Sequence, residues 1–213
     1  MAKYYPIFLN IQDKKCVVAG GGSVAWRKVC GLKEAGAKVT VVSPEFCPEL
    51  EKETGIERIE QKYDEGFLKE AVVVVASTDD EAVNKKIYND AVKRGLLVNV
   101  VDRPEFCSFI VPSSIVRGDL CISISTGGAS PALARNIREY LEKQFGDEYD
   151  EFTKLLSKMR RKILSEVKEE SVRRDILQRI AGLDMLEVIK GKGVIAAEKK
   201  MLEIVSEKIS RGK

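Results

Sequence analysis

Short apolar runs alternate with longer segments of mixed polarity over the first half of the chain. Runs of four to six mostly β-branched residues are typical of strands buried on both faces of a parallel sheet. The segments between them have helical spacing, and two of them end in glycine, as expected at a helix C-terminus. The pattern predicts strands 15–19, 38–42, 56–61, 72–76 and 97–101, and helices 24–35 and 79–94. This alternation predicts a Rossmann-like, doubly wound parallel sheet of the α/β class.

The alternation of predicted strands and helices ends after Pro112. Residues 120–125 alternate in polarity, which predicts a strand with one covered face. A helix is then expected to begin at Pro131, with Ser130 as its N-cap, and to run to about Phe145.

The remaining chain is predicted to be helical. From Phe152 to Val167, apolar residues recur at spacings of three and four, which forms an amphipathic stripe. Ser171 is expected to cap the next helix and Gly182 to end it, and a turn at 190–193 precedes a last helix. We therefore predict a Rossmann-like domain over 1–113, a following segment over 114–146 and a helical domain over 147–213.

Composition and charge narrow the functional class. The chain of 213 residues is 44% hydrophobic and 32% charged, as in ordinary globular proteins. It has no apolar run long enough to cross a membrane and no signal pattern at its start, so we expect a cytoplasmic protein. Residues 147–213 hold 16 Lys and Arg against 13 Asp and Glu. That excess is too weak to predict nucleic-acid binding, but it suits a small polyanionic ligand.

Histidine is absent, and cysteine is scattered. Acid–base chemistry must therefore come from carboxylates, hydroxyls, lysine, tyrosine or cysteine. No two cysteines have the spacing of a metal site, and most have apolar neighbours, so free thiols are predicted and no metal site is. The five are Cys16, Cys30, Cys47, Cys107 and Cys121.

A glycine loop follows the first predicted strand and opens the first helix. Gly20, Gly22 and Ala25 match the dinucleotide pattern Gly-x-Gly-x-x-Ala in the context that this pattern requires. The free N–H groups of the first helical turn and the helix dipole would face a pyrophosphate. We predict that a dinucleotide contacts Gly20, Gly21, Gly22, Ser23, Val24 and Ala25.

The end of the second strand lacks the usual acid that binds a ribose. Ser43 and Pro44 stand there instead. A serine can bond a ribose hydroxyl but does not repel a 2′-phosphate, and no arginine follows directly to attract one. The sequence therefore favours NAD and leaves NADP open.

Two further strand ends carry polar residues near the expected cofactor. Asp102 follows an apolar strand and can serve as a general base if it is partly desolvated, although a turn aspartate is an equal alternative. Asp79 and Asp80 also start a helix, which favours capping for both. The residues predicted to line the cofactor at these ends are Thr78, Asp79, Asn99 and Val101.

The loop from Ser125 to Pro131 is a second candidate anion site. Its glycines expose backbone N–H groups at a helix start, and a capped helix without a ligand is the alternative. Next to a cofactor site, it suits the carboxylates of a substrate. The predicted substrate contacts are Ser125, Thr126, Gly127, Gly128, Ser130, Arg135 and Arg138.

These motifs together resemble the precorrin-2 dehydrogenase family, which also forms the N-terminal module of multifunctional siroheme synthases. The likeness extends over about residues 4–145, while the tail is similar only in length and character. The motifs that carry it are Gly20 to Lys28, Thr78 to Asp80, Asn99 to Asp102, Ser108 to Pro112 and Ser125 to Arg135.

The resemblance implies oxidation of precorrin-2, a tetrapyrrole rich in carboxylates, to sirohydrochlorin. A hydride passes to NAD and a carbon-bound proton is lost, with the family's catalytic aspartate at Asp102. The resemblance also implies a homodimer, with much of the interface in the segment after the Rossmann part. The three predicted parts then become an NAD-binding Rossmann domain over 1–113, a dimerisation and substrate-site segment over 114–146 and a helical C-terminal domain over 147–213.

Two alternatives stay open. The first is a bifunctional enzyme that also inserts Fe²⁺ into sirohydrochlorin, as some members do, with iron as a substrate. The second is an NAD-sensing module without chemistry, which Ser43 and the segment from Asn99 to Pro104 disfavour.

Overall fold

The computed structural model describes residues 4–211 and divides into two compact units that meet in sequence at Val111 and Pro112. The first boundary predicted from the sequence falls two residues later. The segment 114–146 and the helical tail lie in the same compact unit. Their separation into two domains stays a prediction.

The first unit is built on a five-stranded parallel sheet with the strand order β3-β2-β1-β4-β5. The middle strands are almost fully buried, because valine and alanine occupy both of their faces. The strands are β1 (Lys15–Ala19), β2 (Lys38–Ser43), β3 (Glu57–Glu60), β4 (Ala71–Ala76) and β5 (Leu97–Val100).

Helices cover both faces of this sheet. Ala25 and Val29 of the first long helix pack with one set of strand side chains, and Ile87 and Ala91 of the second pack with the other set. The predicted doubly wound sheet is therefore confirmed. The helices are α1 (Ser23–Glu34), α2 (Pro48–Lys52) and α3 (Glu81–Lys93), with short 3-10 helices at Glu65–Leu68 and Pro104–Phe106.

The second unit joins an antiparallel hairpin to a set of helices, and Gly193 separates two of them at the turn predicted for residues 190–193. Its main core is wholly helical and contains Phe152, Met159, Ile163 and Met201. The elements are β6 (Ser113–Arg117), β7 (Leu120–Ile124), α4 (Pro131–Glu142), α5 (Glu148–Glu166), α6 (Glu170–Ile180) and α7 (Leu183–Arg211), which kinks at Gly193.

Two local predictions need correction. Strand β6 was not predicted, because its five residues follow Pro112 directly and give too short a run to set a period. Helix α6 begins at Glu170 with Glu169 as its N-cap, so Ser171 lies inside the helix and its hydroxyl bonds Glu169 instead. Of the helices in residues 4–211, none is long and apolar enough to cross a membrane.

The thiol of Cys16 gives the sheet a measurable pH dependence. It is fully buried in β1, and this burial raises its pKa to about 11. A pKa raised by folding contributes stability below the unfolded value of roughly 8.5, and this contribution is lost as pH rises through the folded value. Between pH 9 and 11, we expect the wild type to lose about 2 kcal/mol more unfolding free energy than Cys16→Ala does. Parallel denaturant titrations test this, and equal losses would contradict it.

Candidate functional site

The carboxyl ends of three neighbouring strands form one edge of the first unit. Ala19 lies beside Ala76, and Ala76 lies beside Val100, in a continuous register. The ladder continues past the strand ends, since Ser77 donates to Ala19 at 2.8 Å and Val101 donates to Ala76 at 2.9 Å. The glycine loop and the two predicted strand-end segments are thereby held side by side, as expected for a ligand site in this fold.

Two glycines of the loop are required by their surroundings. Gly20 has a φ of +126°, and a Cβ there would lie 2.5 Å from the carbonyl oxygen of Ser77. A Cβ on Gly21 would lie 1.8 Å from the carbonyl oxygen of Glu45 and 2.6 Å from the Ser43 hydroxyl oxygen. The motif gave no role to the residue between its glycines, but the structure shows that no side chain fits at Gly21.

Gly22 differs from the other two, because a Cβ there would meet nothing within 4 Å. It is the N-cap of α1, and its carbonyl accepts from Trp26 at 3.0 Å. The N–H groups of Ser23, Val24 and Ala25 fall in the first turn and have no acceptor within the helix. Ala25 is fully buried, which lets α1 approach the sheet closely. These residues fit a pyrophosphate, since open space lies beside free donors at the positive end of a helix.

Ser43 and Pro44 follow strand β2 at the same edge of the sheet. Ser43 is 8% exposed, and its hydroxyl lies against the glycine loop, whereas Pro44 is exposed. The serine therefore helps to shape the glycine loop, and its contact with a ribose stays a prediction.

A cleft of about 610 Å³ opens at the ends of β4 and β5. It brings together four residues that the sequence analysis selected: Thr78, Asp79, Val101 and Asp102. Two hydrogen bonds to Asn84 of α3 hold Thr78 in place. The Thr78 hydroxyl donates to the Asn84 side chain at 2.8 Å, and the Asn84 amide donates to the Thr78 carbonyl at 2.8 Å.

The two adjacent aspartates at the start of α3 have different roles. Asp80 is the N-cap, and one of its carboxylate oxygens accepts from the N–H of Ala82 at 2.8 Å and of Val83 at 3.2 Å. Asp79 is exposed, lines the cleft and is not the cap residue. The capping interpretation therefore holds for Asp80, and Asp79 stays a predicted cofactor contact.

The different roles of Asp79 and Asp80 can be tested by the unfolding free energy of their alanine variants. Asp80→Ala is expected to lower the unfolding free energy by about 1 kcal/mol, because two N–H groups lose their acceptor. Asp79→Ala removes the same charge from the neighbouring position and should change stability by less than about 0.5 kcal/mol. Chemical denaturation of both variants tests this, and equal losses would rule out the capping assignment.

Asp102 is the second residue after β5 and has a left-handed conformation, with a φ of 59°. Residues other than glycine seldom adopt it, and they keep it only where the surroundings hold them. Its carboxylate is exposed in the cleft. The next side chain, Arg103, turns to Glu81 and to Glu105 at 3.6 Å, so it does not neutralise Asp102 by pairing with it.

Three side chains hold the chain before and after Asp102. No pattern in the sequence indicated that they act together. Ser108 accepts from the N–H of Val98 at 2.8 Å, and the Cys107 sulfur accepts from the N–H of Val100 at 3.3 Å. Burial raises the pKa of the Cys107 thiol, which stays protonated and can donate to the carbonyl of Val100 or Arg103.

Asn99 is the third of these side chains. It is 8% exposed and donates to the Phe109 carbonyl at 3.1 Å. The side chain predicted to line the cofactor thus has a packing role on the segment 107–109. We call Asn99, Cys107 and Ser108 the β5 clamp, because together they attach this segment to strand β5.

The loop from Ser125 to Pro131 belongs to the second unit. Ser130 caps α4 by accepting from the N–H of Leu133 at 3.2 Å, as predicted. Gly127 and Gly128 both have positive φ and open space on the side where a Cβ would be. Thr126 closes the loop, with its hydroxyl 3.0 Å from the N–H of Ser130.

The arginines predicted to follow this loop are already paired along α4. Arg135 donates to Glu139 at 2.8 Å, and Arg138 pairs with Glu142 and lies 3.5 Å from Glu139. The hydrogen bond from Arg135 lowers the pKa of the Glu139 carboxyl. Such surface pairs contribute little free energy, and substrate binding by these arginines stays a prediction. No group of three or more metal-binding side chains occurs among the residues that the structure describes.

Comparison with known proteins supports this arrangement. The family model described as putative NAD(P)-binding matches residues 7–113, half of the chain, and one described as sirohaem biosynthesis protein central matches residues 117–144. The solved structure of "SirC, precorrin-2 dehydrogenase" superposes with a TM-score of 0.74 at 27% identity, covering 96% of this chain and all of that one.

Siroheme synthases are among the curated relatives that this chain resembles. The siroheme synthase of Thioalkalivibrio sulfidiphilus is 38% identical over 83% of this chain and 37% of its own length. That of Psychromonas ingrahamii is 36% identical over 98% of this chain and 45% of its own length. The chain thus spans less than half of the siroheme synthases that it matches. The resemblance found in the motifs is confirmed by these similarities to siroheme synthases and to SirC, and the chain belongs to the putative NAD(P)-binding family.

Proposed function

We propose that this chain is a precorrin-2 dehydrogenase, which oxidises precorrin-2 to sirohydrochlorin. The observation that carries the proposal is Asp102, an exposed carboxylate in a left-handed conformation within a cleft at the carboxyl edge of a dinucleotide-binding sheet. Bound NAD supplies the hydride acceptor. Asp102, which is exposed here and would be partly desolvated by bound cofactor and substrate, accepts the carbon-bound proton, so that one hydride and one proton leave the substrate.

We propose NAD in preference to NADP. Within the glycine loop, the space beside Gly22 and the first-turn N–H groups of α1 hold the pyrophosphate. Ser43 bonds a ribose hydroxyl at the end of β2. A 2′-phosphate gains no adjacent arginine there, since Pro44 and Glu45 follow.

The substrate, the assembly and the location complete the proposal. The loop from Ser125 to Pro131, with Arg135 and Arg138, binds carboxylates of the tetrapyrrole through N–H groups and guanidinium groups. The protein is proposed to act in the cytoplasm as a homodimer. Neither nucleic acid nor a membrane is a proposed partner.

An anaerobic assay tests the proposed reaction. Precorrin-2 is mixed with the protein and with NAD or NADP, and absorbance reports NADH formation together with sirohydrochlorin. Turnover with NAD that exceeds turnover with NADP is expected, and absence of turnover with both would refute the proposal. Adding Fe²⁺ at the end and comparing with the spontaneous rate shows whether the chain also inserts iron as a substrate.

A further inference from the structure

A hollow of about 570 Å³ lies in the second unit, apart from the Ser125–Pro131 loop and its arginines. One wall is the turn between β6 and β7, which contributes Asp119. The rest is one side of helix α5. The α5 residues that line the hollow are Lys154, Ser157, Arg160 and Arg161.

The two arginines of this hollow differ from the lysines of the same helix. Lys154 pairs with Asp150 at 2.7 Å, Lys158 with Glu198 at 2.6 Å and Lys162 with Glu166 at 3.6 Å. Among the side chains that the structure describes, neither Arg160 nor Arg161 has an ion pair or a hydrogen bond. The lysines of α5 are therefore paired with carboxylates, whereas two adjacent guanidinium groups of the same helix are free to bind an anion.

The packing of α5 fixes which side faces the hollow. Phe152, Leu155, Met159 and Ile163 are buried on the other side of the helix in the main core of the unit. The helix cannot rotate without exposing these side chains, so the arginines stay on the hollow. Lys154 is already paired with Asp150, so the two arginines are the unpaired cations of the hollow, and their mutual repulsion favours a bound anion.

We propose that this hollow is a carboxylate subsite that holds acidic side chains of the tetrapyrrole. The inference rests on the proposed function and extends it to a surface that no sequence motif marks. Guanidinium groups bind carboxylates through two parallel hydrogen bonds, so two adjacent ones can orient a substrate with several carboxylates. Ser157 adds a hydroxyl donor beside them.

The test is the affinity for sirohydrochlorin, the proposed product, measured by titrating its absorbance. Arg160→Gln and Arg161→Gln are each expected to raise its Kd by roughly tenfold, the loss of one charge-assisted contact. KM for precorrin-2 should rise in parallel, while kcat at saturation stays within about twofold, because the subsite binds ground state and transition state alike.

Arg174→Gln is the matched control. Arg174 is an equally exposed arginine of the second unit, but it pairs with Glu170 on α6. This control should leave the Kd unchanged, and thermal unfolding should be the same for all three variants, since no arginine among them is buried.

The outcomes separate this inference from the proposed function. A wild-type protein that binds no sirohydrochlorin would refute the proposed function itself. Normal binding by the wild type, with a Kd in Arg160→Gln and Arg161→Gln that matches Arg174→Gln, would overturn the subsite alone. A loss of affinity for inorganic phosphate without any change for sirohydrochlorin would assign the hollow to a phosphate ligand and would also overturn the proposal.

Discussion

Asp102→Asn is expected to lower the rate of precorrin-2 oxidation by 10²–10⁴-fold, the usual contribution of a general base. Asparagine has nearly the shape of aspartate and tolerates the left-handed conformation equally well, so the loop should not rearrange. The Kd for NAD should stay within about twofold, because the glycine loop is unchanged. Stopped-flow or steady-state assays for the rate and a fluorescence titration with NADH measure the two effects.

Asp13→Asn provides the matched control for this substitution. Asp13 is also exposed and has a φ of 58°, but it precedes β1 at the opposite edge of the sheet. The control makes the same chemical change in the same backbone conformation, and activity should not change. If Asp102→Asn keeps the wild-type rate, Asp102 is not the base. If both variants lose activity equally, the loss reflects folding rather than chemistry.

Gly22→Ala is expected to raise the Kd for NAD at least about tenfold without lowering stability. The new methyl group meets no protein atom within 4 Å, and a φ of −85° suits alanine. It does occupy the space through which a pyrophosphate approaches the first turn of α1. Titration with NADH and thermal unfolding separate the loss of binding from any loss of folding.

Gly31→Ala is the control for that variant. Gly31 lies inside α1, and a Cβ there also meets nothing within 4 Å. Alanine in a helix interior gains up to about 1 kcal/mol over glycine, so this variant should be more stable and should bind NAD normally. Wild-type affinity in Gly22→Ala would show that the dinucleotide does not approach the loop at this residue.

Local signals in the sequence were sufficient to predict the sheet and the strand ends that meet at its carboxyl edge. Valine-rich runs and helix-ending glycines act over a few residues, so β1, β2, β4 and β5 could be predicted closely. The role of Gly21 could not, because it depends on the carbonyl of Glu45, a contact that only the folded loop creates. The motif gives the positions of the glycines but not the neighbouring atoms that exclude a side chain at each of them.

The β5 clamp and the arginine hollow were missed for a related reason. Asn99, Cys107 and Ser108 act on backbone groups of a strand and of a segment about ten residues away, and no periodicity encodes such pairs. Arg160 and Arg161 look like any polar face of an amphipathic helix. Only the pairing of the neighbouring lysines distinguishes them.

The β5 clamp also covers one side of the sheet. Strand β5 is the last of the sheet, and an open strand edge invites pairing with the edge of another molecule. Here Ser108 and Cys107 occupy the outward N–H groups of Val98 and Val100. Their short separation in sequence from β5 lets this cover form early in folding, before distant contacts exist. The residues that hold the chain around Asp102 thus also close this side of the sheet to pairing with another strand.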